Sequence, residues 1–327
     1  MSAIGIPSTT RQPTLVDVVE LACLAPSVHN TQPWTWRISS STLELYADPR
    51  RLLPATDPQG DQLVVSCGAA LHHAQIAARG LGWEPQVTRL PGGPDMDLLA
   101  RIDLTPAPRT PSGLAALELL RERRTDRRHC TSWPVPDARL AQLADTAGRW
   151  GVIATPVTDS PQRWRVEDLI AEASKIQSND PRTAREQAAW VDRGPEDGIP
   201  SDVVPDETQH DPSHMSRFGP GTLKDSDREF DRTDALIVLG SVTDDRAAWL
   251  RAGEALSALW LDATLAGLTV VPLSQPIEVP QTRRVLQHDV LVSLVKPHVL
   301  VRVGWPAMSR TTLPAVPHRP LDEVLRS

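Results

Sequence analysis

The sequence predicts an α+β fold in which one chain contains two related halves. Its 327 residues exceed the usual size of a single hydrophobic core, so two cores or one duplicated unit are expected. Stretches with helical periodicity alternate with short strand-like stretches, and the second half repeats the order of the first. We therefore expect one half over residues 1–112 and another over residues 113–327.

The first half begins with an amphipathic helix, for which Thr14 is a plausible cap and Pro26 a stop. Short runs of alternating apolar and polar residues then predict strands. A longer helical pattern follows and runs into Gly80 and Gly82. The predicted elements are a helix over 14–25, strands at 34–38 and 43–46, a helix over 61–79 and a strand near 98–104.

The second half restarts with a helix from residue 114 and then a basic turn. Its further elements are helices near 138–147 and 162–177, a strand at 235–241, a helix over about 246–266 and a buried strand at 298–304. The two longest helical patterns match at a fixed offset, since 253 minus 68 is 185. A chance match stays open because apolar helices share such residues easily. The matched pairs are Gly68 with Gly253, Leu71 with Leu256, Ala78 with Ala263 and Gly82 with Gly267.

The stretch 190–233 interrupts the second half. It is polar, rich in proline and glycine, and lacks sustained apolar periodicity, which predicts a long loop. Loops of this length in compact proteins are usually functional covers or disordered segments. A lid over an active site and a solvated insertion are both compatible with the sequence.

Composition excludes several classes of protein. Apolar residues make up 40% and charged residues 23%, which is ordinary for a globular protein. No apolar run approaches the roughly 20 residues of a membrane helix, and no basic N-terminal segment leads into one, so a cytoplasmic protein without a membrane partner is expected. The net charge of −7 argues against nucleic-acid binding. Three widely spaced cysteines are expected to be small buried side chains: Cys23, Cys67 and Cys130.

The most specific stretch is 25–34, APSVHNTQPW. A loop that stops a helix is one interpretation, since Pro, Ser and Asn are common in turns. The stretch also resembles the A-P-S-x-x-N-x-Q-P-W signature of the FMN-dependent nitroreductases. The resemblance implies that this loop approaches the flavin from a neighbouring subunit. Its candidate contacts are Pro26, Ser27, Val28, Asn30 and Gln32.

A second element is 121–129, RERRTDRRH, in which Arg123 and Arg127 are four residues apart. If that turn is helical, they share one face and can hold one phosphate through charge-assisted hydrogen bonds. A solvated cluster of arginines is the alternative. The element resembles the R-x-S-x-K/R stretch that opens nitroreductase chains, with threonine in place of serine. The candidates are Arg123, Arg124, Thr125 and Arg127.

A third element is 267–275, GLTVVPLSQ, which resembles the nitroreductase strand ahead of the flavin ring. The resemblance implies that a backbone N–H here bonds flavin N5, with Pro272, Leu273, Ser274 and Gln275 along the ring. Family members often have V-P-x-E-G, from which Ser274 and Gln275 depart. A strand that simply enters a loop is the alternative.

The fourth element is the tail 317–324, PHRPLDEV, which resembles the family's R-P-L-x-E segment. The resemblance implies that Arg319 reaches the FMN phosphate. As a bare sequence, the same stretch is a turn before a helix.

The distribution of the four elements predicts a single working site. The first half has the NTQPW loop but no arginine element, whereas the second half has the arginine element but no such loop. Ordinary nitroreductases are homodimers with two flavins, so the chain resembles a fused pseudo-dimer of the actinobacterial Acg-like branch. Because one chain supplies the whole set, a monomer is expected.

The resemblance implies an enzyme whose chemistry is carried by FMN, with no catalytic acid, base or nucleophile among the side chains. NADPH or NADH would be the reductant, and a nitroaromatic or quinone-like small molecule the acceptor. The alternative is a protein that stores or sequesters FMN beneath the 190–233 segment. A metal site is not expected, since His210 and His214 lack a third ligand and His72 and His73 point apart on a helix.

Overall fold

The computed structural model describes residues 14–206, 217–224, 234–306 and 313–326. These residues form two antiparallel sheets of four strands, one in each half of the chain. The strand orders, β1-β2-β4-β3 and β5-β6-β8-β7, are the same when the strands are counted within each half. The α+β class and the paired halves predicted from the sequence are confirmed.

The first half follows the predicted order. Thr14 and Asp17 form a capping box at the beginning of the first helix. The elements are α1 (Leu15–Ala22), β1 (Trp34–Ser39), β2 (Thr42–Ala47), α2 (Asp61–Leu81), β3 (Trp83–Arg89) and β4 (Leu98–Pro106). The sequence did not predict β3, which lies at the edge of the sheet and contains Pro85.

The second half repeats this order with insertions. A helix, α3 (Pro111–Glu122), begins at the predicted division between the halves. The following elements are α4 (Asp137–Gly148), β5 (Ile153–Val157), α5 (Ser160–Asn179), α6 (Pro181–Ala188), β6 (Ala235–Ser241), α7 (Arg246–Leu265), β7 (Thr269–Leu273), α8 (Gln275–Glu278), α9 (Pro280–Val285), a π-helical turn (Leu286–Val290), β8 (Lys296–Gly304) and α10 (Leu321–Val324).

Helices α2 and α7 cross at the centre of the molecule, and their contacts are self-complementary. A Cβ on Gly253 would lie 2.8 Å from both Gly68 Cα and Ala69 N, so glycine is needed for this close approach. His72 Nδ1 lies 2.8 Å from Ser257 Oγ, and 257 minus 72 is again 185. Equivalent positions of the two halves therefore contact each other, as they do across the two-fold axis of a symmetric dimer.

The two long helices also end alike. Gly82 follows α2 with φ +97°, and Gly267 follows the last residues of α7 with φ +76°. Only glycine adopts this left-handed conformation without strain, which explains why both patterns stop there. The offset read from the sequence therefore describes a real structural correspondence.

Buried apolar side chains form a core on each side of this helix pair. One core contains α1, β1, β2 and β4 with α2, and the other contains α4, β6 and β8 with α7. All three cysteines are buried and unpaired, as expected. Burial raises the pKa of the Cys23 thiol to about 12, which makes it unreactive. No helix among the described residues is long and apolar enough to cross a membrane.

Only part of the 190–233 segment lies within the described residues, because 207–216 and 225–233 fall outside them. The described part is packed against the protein. Ile199, Val203 and Val204 form a small buried cluster with Phe218 against it. Glu186 of α6 accepts hydrogen bonds from the backbone of Ala55 and Thr56 in the first half. The helix that precedes the insertion is therefore bound to the first half.

Candidate functional site

The APSVHNTQPW loop connects α1 to β1 and has a strained backbone. His29, Asn30 and Gln32 have φ values of +47°, +53° and +46°. Left-handed conformations of non-glycine residues cost free energy and cluster at functional sites. The Ser27 hydroxyl accepts a hydrogen bond from Gln32 N at 2.9 Å, and Val28 N donates to Ser66 Oγ at 3.0 Å. Pro26 is half-buried at the beginning of the loop.

Asn30 and Gln32 bind the insertion and the C-terminal tail. Asn30 Nδ2 donates to the carbonyl oxygens of Gly198 and Pro317, both at 2.9 Å. Gln32 Nε2 donates to Glu196 O at 2.9 Å. Three separate parts of the sequence therefore meet at this loop. These bonds give both side chains a structural role, and their contact with a cofactor remains a prediction.

Arg319 also holds the tail to the loop. Its backbone N–H donates to Gln32 Oε1 at 2.8 Å, and its Nη1 donates to the carbonyl oxygens of Gln32 and Trp34 at 3.1 and 3.2 Å. Nη2 and Nε donate to Glu323. Every guanidinium nitrogen thus has a protein acceptor. Phosphate binding by Arg319 remains a prediction that would require exchanging some of these bonds.

The expectation that Arg123 and Arg127 share one helical face is wrong. Helix α3 ends at Glu122, and Arg123 is already extended with ψ 123°. The two arginines have different neighbours, since Arg123 contacts Trp260 and Arg127 contacts Phe218. Between them, Arg124 donates to its own stretch of backbone, and Thr125 is half-buried.

Arg123 is buried with donors left over. Its guanidinium lies 4.7 Å from the centre of the Trp260 ring, and Nη2 donates to Leu24 O at 3.2 Å. Nε and Nη1 have no hydrogen-bond partner among the described residues. Burial, followed by the charge of Arg124, lowers the pKa of Arg123 to about 9. A buried cation with two unsatisfied donors is costly unless an anion completes it.

Arg127 is half-buried, in contrast to Arg123. Its Cζ lies 5.7 Å from the centre of the Phe218 ring, and its guanidinium has no hydrogen bond among the described residues. Burial lowers the pKa of Arg127 to about 10, with further contributions from the charges of Arg217 and Arg302. Arg217 and Arg302 have carboxylate partners, Glu278 and Asp234, whereas Arg127 has no ion pair among the described residues.

His29 and Arg127 contact the same aromatic ring. The imidazole of His29 meets Phe218 edge to face, with ring centres 5.0 Å apart and an interplanar angle of 81°. Neither ring nitrogen of His29 has a partner among the described residues. Burial lowers the pKa of His29 well below its usual value, and Arg217 and Arg127 lower it further. The first-half loop and a second-half arginine thus lie at one place.

The flavin-ring element predicted from the sequence lies at the end of β7. Pro272 and Leu273 pair with Val301 and Leu300 of β8. Ser274 and Gln275 follow at the beginning of α8, and Gln275 Nε2 donates to Ser174 Oγ at 3.4 Å. Ser274 Oγ accepts from Arg217 Nη1 at 2.8 Å. Arg217 and its neighbour Phe218 therefore link this element to the loop and to Arg127.

Sequence reasoning missed Arg217, Phe218, Trp260 and Arg302. One available signal was composition, because the chain has only two phenylalanines and Phe218 lies in an otherwise polar segment. His210 and His214, which the sequence does not favour as metal ligands, lie outside the described residues. Among the residues that are described, no group of three or more side chains could hold a metal ion.

The chain is similar to several proteins of Mycobacterium tuberculosis. One, named "Putative NAD(P)H nitroreductase", is 38% identical over 315 residues, which cover 95% of this chain and 91% of that protein. Another, "Putative NAD(P)H nitroreductase acg", is 35% identical over 321 residues, covering 94% and 93%. No family model matches the sequence.

Among solved structures, a nitroreductase with bound FMN from Bacteroides fragilis aligns with 61% of this chain and 92% of its own. The TM-score of this alignment is 0.40, at 15% sequence identity.

Proposed function

The chain belongs to the nitroreductase family, in the branch that contains Acg, and from this premise we propose that it is an NAD(P)H-dependent FMN oxidoreductase. When bound, FMN would accept a hydride from NADPH or NADH and deliver two electrons to a nitroaromatic or quinone-like acceptor. One cofactor would lie between the first-half loop and the second-half arginines. The protein's contribution would be binding, orientation and electrostatics.

The observation that supports this proposal most strongly is that two arginines of the second half have guanidinium donors without an acceptor among the described residues. Arg123 leaves two donor nitrogens unsatisfied, and Arg127 has no hydrogen bond among the described residues. Phosphate satisfies such donors well, because its oxygens accept charge-assisted hydrogen bonds from guanidinium groups. The two unsatisfied donors of Arg123 therefore fit a phosphate, and the proposal assigns Arg127 to the same FMN phosphate.

The remaining assignments follow the same proposal. Thr125 would add a hydroxyl to the phosphate site, and the backbone after β7 would lie along the flavin ring. The strained loop would enclose the other side of the cofactor. In full, the proposed cofactor contacts are Pro26, Ser27, Val28, Asn30, Gln32, Arg123, Arg124, Thr125, Arg127, Pro272, Leu273, Ser274, Gln275 and Arg319.

Titration of the apoprotein with FMN tests the proposal. We expect one FMN to bind per chain, and Arg127→Ala to lose about 1.5–3 kcal/mol of binding free energy, or roughly 10- to 150-fold in affinity. Arg165→Ala is the matched control, because its exposed guanidinium pairs with Asp168 on α5. A wild-type protein that binds no FMN would reject the proposal, and equal affinity in the Arg127 variant would reject the phosphate assignment.

A second candidate function is storage or sequestration of FMN without turnover. It is favoured by the position of Phe218, which contacts both His29 and Arg127, and by the bonds from Asn30 and Gln32 to residues 196–198. Such packing would restrict access of a nicotinamide to the ring. Anaerobic mixing of the FMN-loaded protein with NADPH separates the two functions. Rapid bleaching supports the enzyme, and persistent yellow colour supports storage.

Three further parts of the proposal concern organisation. We place the division between the halves near residue 112, where α3 begins, and we expect the fused pair to be a monomer because one chain supplies both sides of the site. We also expect a cytoplasmic protein. Size-exclusion chromatography with light scattering tests the monomer, since a stable dimer would show twice the mass of 35.8 kDa.

A further inference from the structure

Arg217 and Glu278 form a buried ion pair outside the residues predicted from the sequence. Arg217 belongs to the described segment 217–224, and Glu278 is the last residue of α8. Their side chains are 9% and 1% exposed. Arg217 Nη1 donates to Glu278 Oε1 at 2.9 Å, and Nη2 pairs with the other carboxylate oxygen. Two parallel bonds of this kind hold both charges in a fixed geometry.

The pair is also supported by its surroundings. Gln177 Nε2 donates to Glu278 Oε2 at 2.6 Å, and Gln177 Oε1 accepts from Arg217 Nη2 at 3.2 Å. The carboxylate is therefore satisfied by two partners from different elements. With one positive and one negative charge, the pair is close to neutral as a unit.

This pair lies directly against the proposed cofactor site. Arg217 Nη1 also donates to Ser274 Oγ at 2.8 Å, and Ser274 belongs to the element proposed to lie along the flavin ring. The next residue, Phe218, contacts His29 of the first-half loop and Arg127. The residues 217–218 thus reach three separate parts of the site.

We propose that Arg217 and Glu278 neutralise each other beside the FMN ring, so that separating them shifts the potential of the ring and the position of segment 217–224 is coupled to the redox state of the cofactor. This inference rests on the proposed function, since it requires FMN at this site. Reduction makes the ring more electron-rich, so a nearby cation favours the reduced form and a nearby carboxylate disfavours it. Inside the protein these effects are stronger than in water.

Coupling follows because one member of the pair is on segment 217–224 and the other is on the scaffold. When Arg217 leaves, Glu278 remains beside the ring without its counter-charge, and the reduced form is disfavoured. By thermodynamic reciprocity, reduction must then hold Arg217 in place more tightly by the same factor. The segment would respond to the electrons on the ring without touching either substrate.

The test measures the midpoint potential of FMN bound to isosteric variants. Glu278→Gln keeps the size of the side chain and one acceptor oxygen for Arg217, but it leaves the charge of Arg217 uncompensated, and arginine cannot lose its proton near neutral pH. We expect the reduced form to be favoured by at least tenfold, which is about +30 mV for a two-electron couple. The double variant R217Q/E278Q removes both charges, so its equilibrium between oxidised and reduced FMN should lie within about threefold of that of the wild type. Arg217→Lys keeps the positive charge and should leave this equilibrium unchanged.

Glu118→Gln is the matched control, since Glu118 pairs with Arg121 on the surface of α3. Its FMN potential should equal that of the wild type. Trypsin gives a second readout, because cleavage after Arg217 and Lys224 should be slower in the reduced protein than in the oxidised protein.

An unchanged potential in E278Q, or an equal shift in E278Q and in the double variant, overturns the inference. Equal trypsin cleavage in both redox states overturns the coupling. These results are distinct from failure of the proposed function, in which the wild-type protein would bind no FMN at all.

Discussion

The two junctions between the halves are built from corresponding elements but treat buried charge in opposite ways. At the proposed flavin junction, Arg123 is buried with two unsatisfied donors, and the half-buried Arg127 has no hydrogen bond from its guanidinium among the described residues. At the other junction, Glu254 is fully buried and both of its oxygens are occupied. Arg89 donates to them at 2.7 and 2.8 Å, and Gln75 donates at 2.8 Å.

The offset of 185 makes the comparison specific. Arg89 corresponds to Ser274 at the proposed flavin ring, since 274 minus 89 is 185. Gln75 corresponds to Trp260, the residue beneath Arg123. The second junction also has Trp150 edge to face on His72, with ring centres 4.5 Å apart. At this junction the protein's own side chains therefore satisfy the buried charge of Glu254 and fill the space around it.

The difference shows how a duplicated scaffold can keep one ligand site and close the other. A junction whose polar groups satisfy one another needs no ligand, whereas a junction with orphaned donors is stabilised by one. This supports a stoichiometry of one cofactor per chain.

The largest expected effect on stability comes from breaking the second junction, in which Arg89 pairs with the buried Glu254. We call it the closed junction, and the proposed flavin junction the open junction. Arg89→Met leaves Glu254 buried and without its cation, which should lower the free energy of unfolding by about 3–5 kcal/mol. Urea denaturation of the apoprotein measures the loss. The double variant R89M/E254L replaces both charges with apolar groups and should recover most of it.

The exposed pair Arg79–Glu84 provides the control for this prediction. Its side chains are 44% and 54% exposed, so Arg79→Ala should cost less than about 1 kcal/mol. If Arg89→Met costs no more than this control, the closed junction does not depend on its buried ion pair.

Removing a buried arginine from the open junction should change the stability of the apoprotein in the opposite direction. Arg123→Met removes a buried cation whose donors are unsatisfied, so the apoprotein should become more stable while FMN affinity falls by roughly 10- to 150-fold, or about 1.5–3 kcal/mol. Thermal unfolding with and without FMN measures both effects. A variant that destabilises the apoprotein would mean that packing against Trp260 outweighs the cost of the buried charge.

The sequence predicted the long helices and buried strands because their periodicity extends over many residues. It missed β3 and β5, which contain Pro85 and Pro156, and proline argues against a strand. Both strands lie at sheet edges, where a missing N–H is tolerated. The position of a strand within its sheet allows these prolines, and a single sequence does not show that position.

The residues of the candidate site could be predicted only where they belong to a short continuous motif. The loop at 25–34 and the arginines near 121–129 stand out because each is continuous in the sequence. Arg217 and Phe218 lie more than 80 residues from either stretch, so only the fold brings them together. The helical-face hypothesis failed because α3 ends one residue before Arg123.

Acid titration gives the smallest expected effect and sharpens the description of the closed junction. Burial, followed by the charge of Arg79, lowers the pKa of His72 to about 3. The unfolded chain takes up this proton near pH 6.5, whereas the folded protein does not, so stability is full above pH 6.5 and falls as the pH is lowered towards 3. Each such histidine contributes a slope of at most about 1.4 kcal/mol per pH unit.

His72→Gln should remove that contribution from the slope of unfolding free energy between pH 6.5 and 5, measured by urea denaturation. The control is His288→Gln, at an exposed position in the π-helical turn, which should leave the slope unchanged. His29, at the proposed flavin junction, also has a lowered pKa, so both His29 and His72 contribute to the slope of the wild type. Only the difference between the wild type and His72→Gln isolates the contribution of His72. An unchanged slope in His72→Gln would mean that His72 takes up its proton at the same pH in the folded and the unfolded protein. Burial against Trp150 would then not exclude the charged form of His72 from this junction.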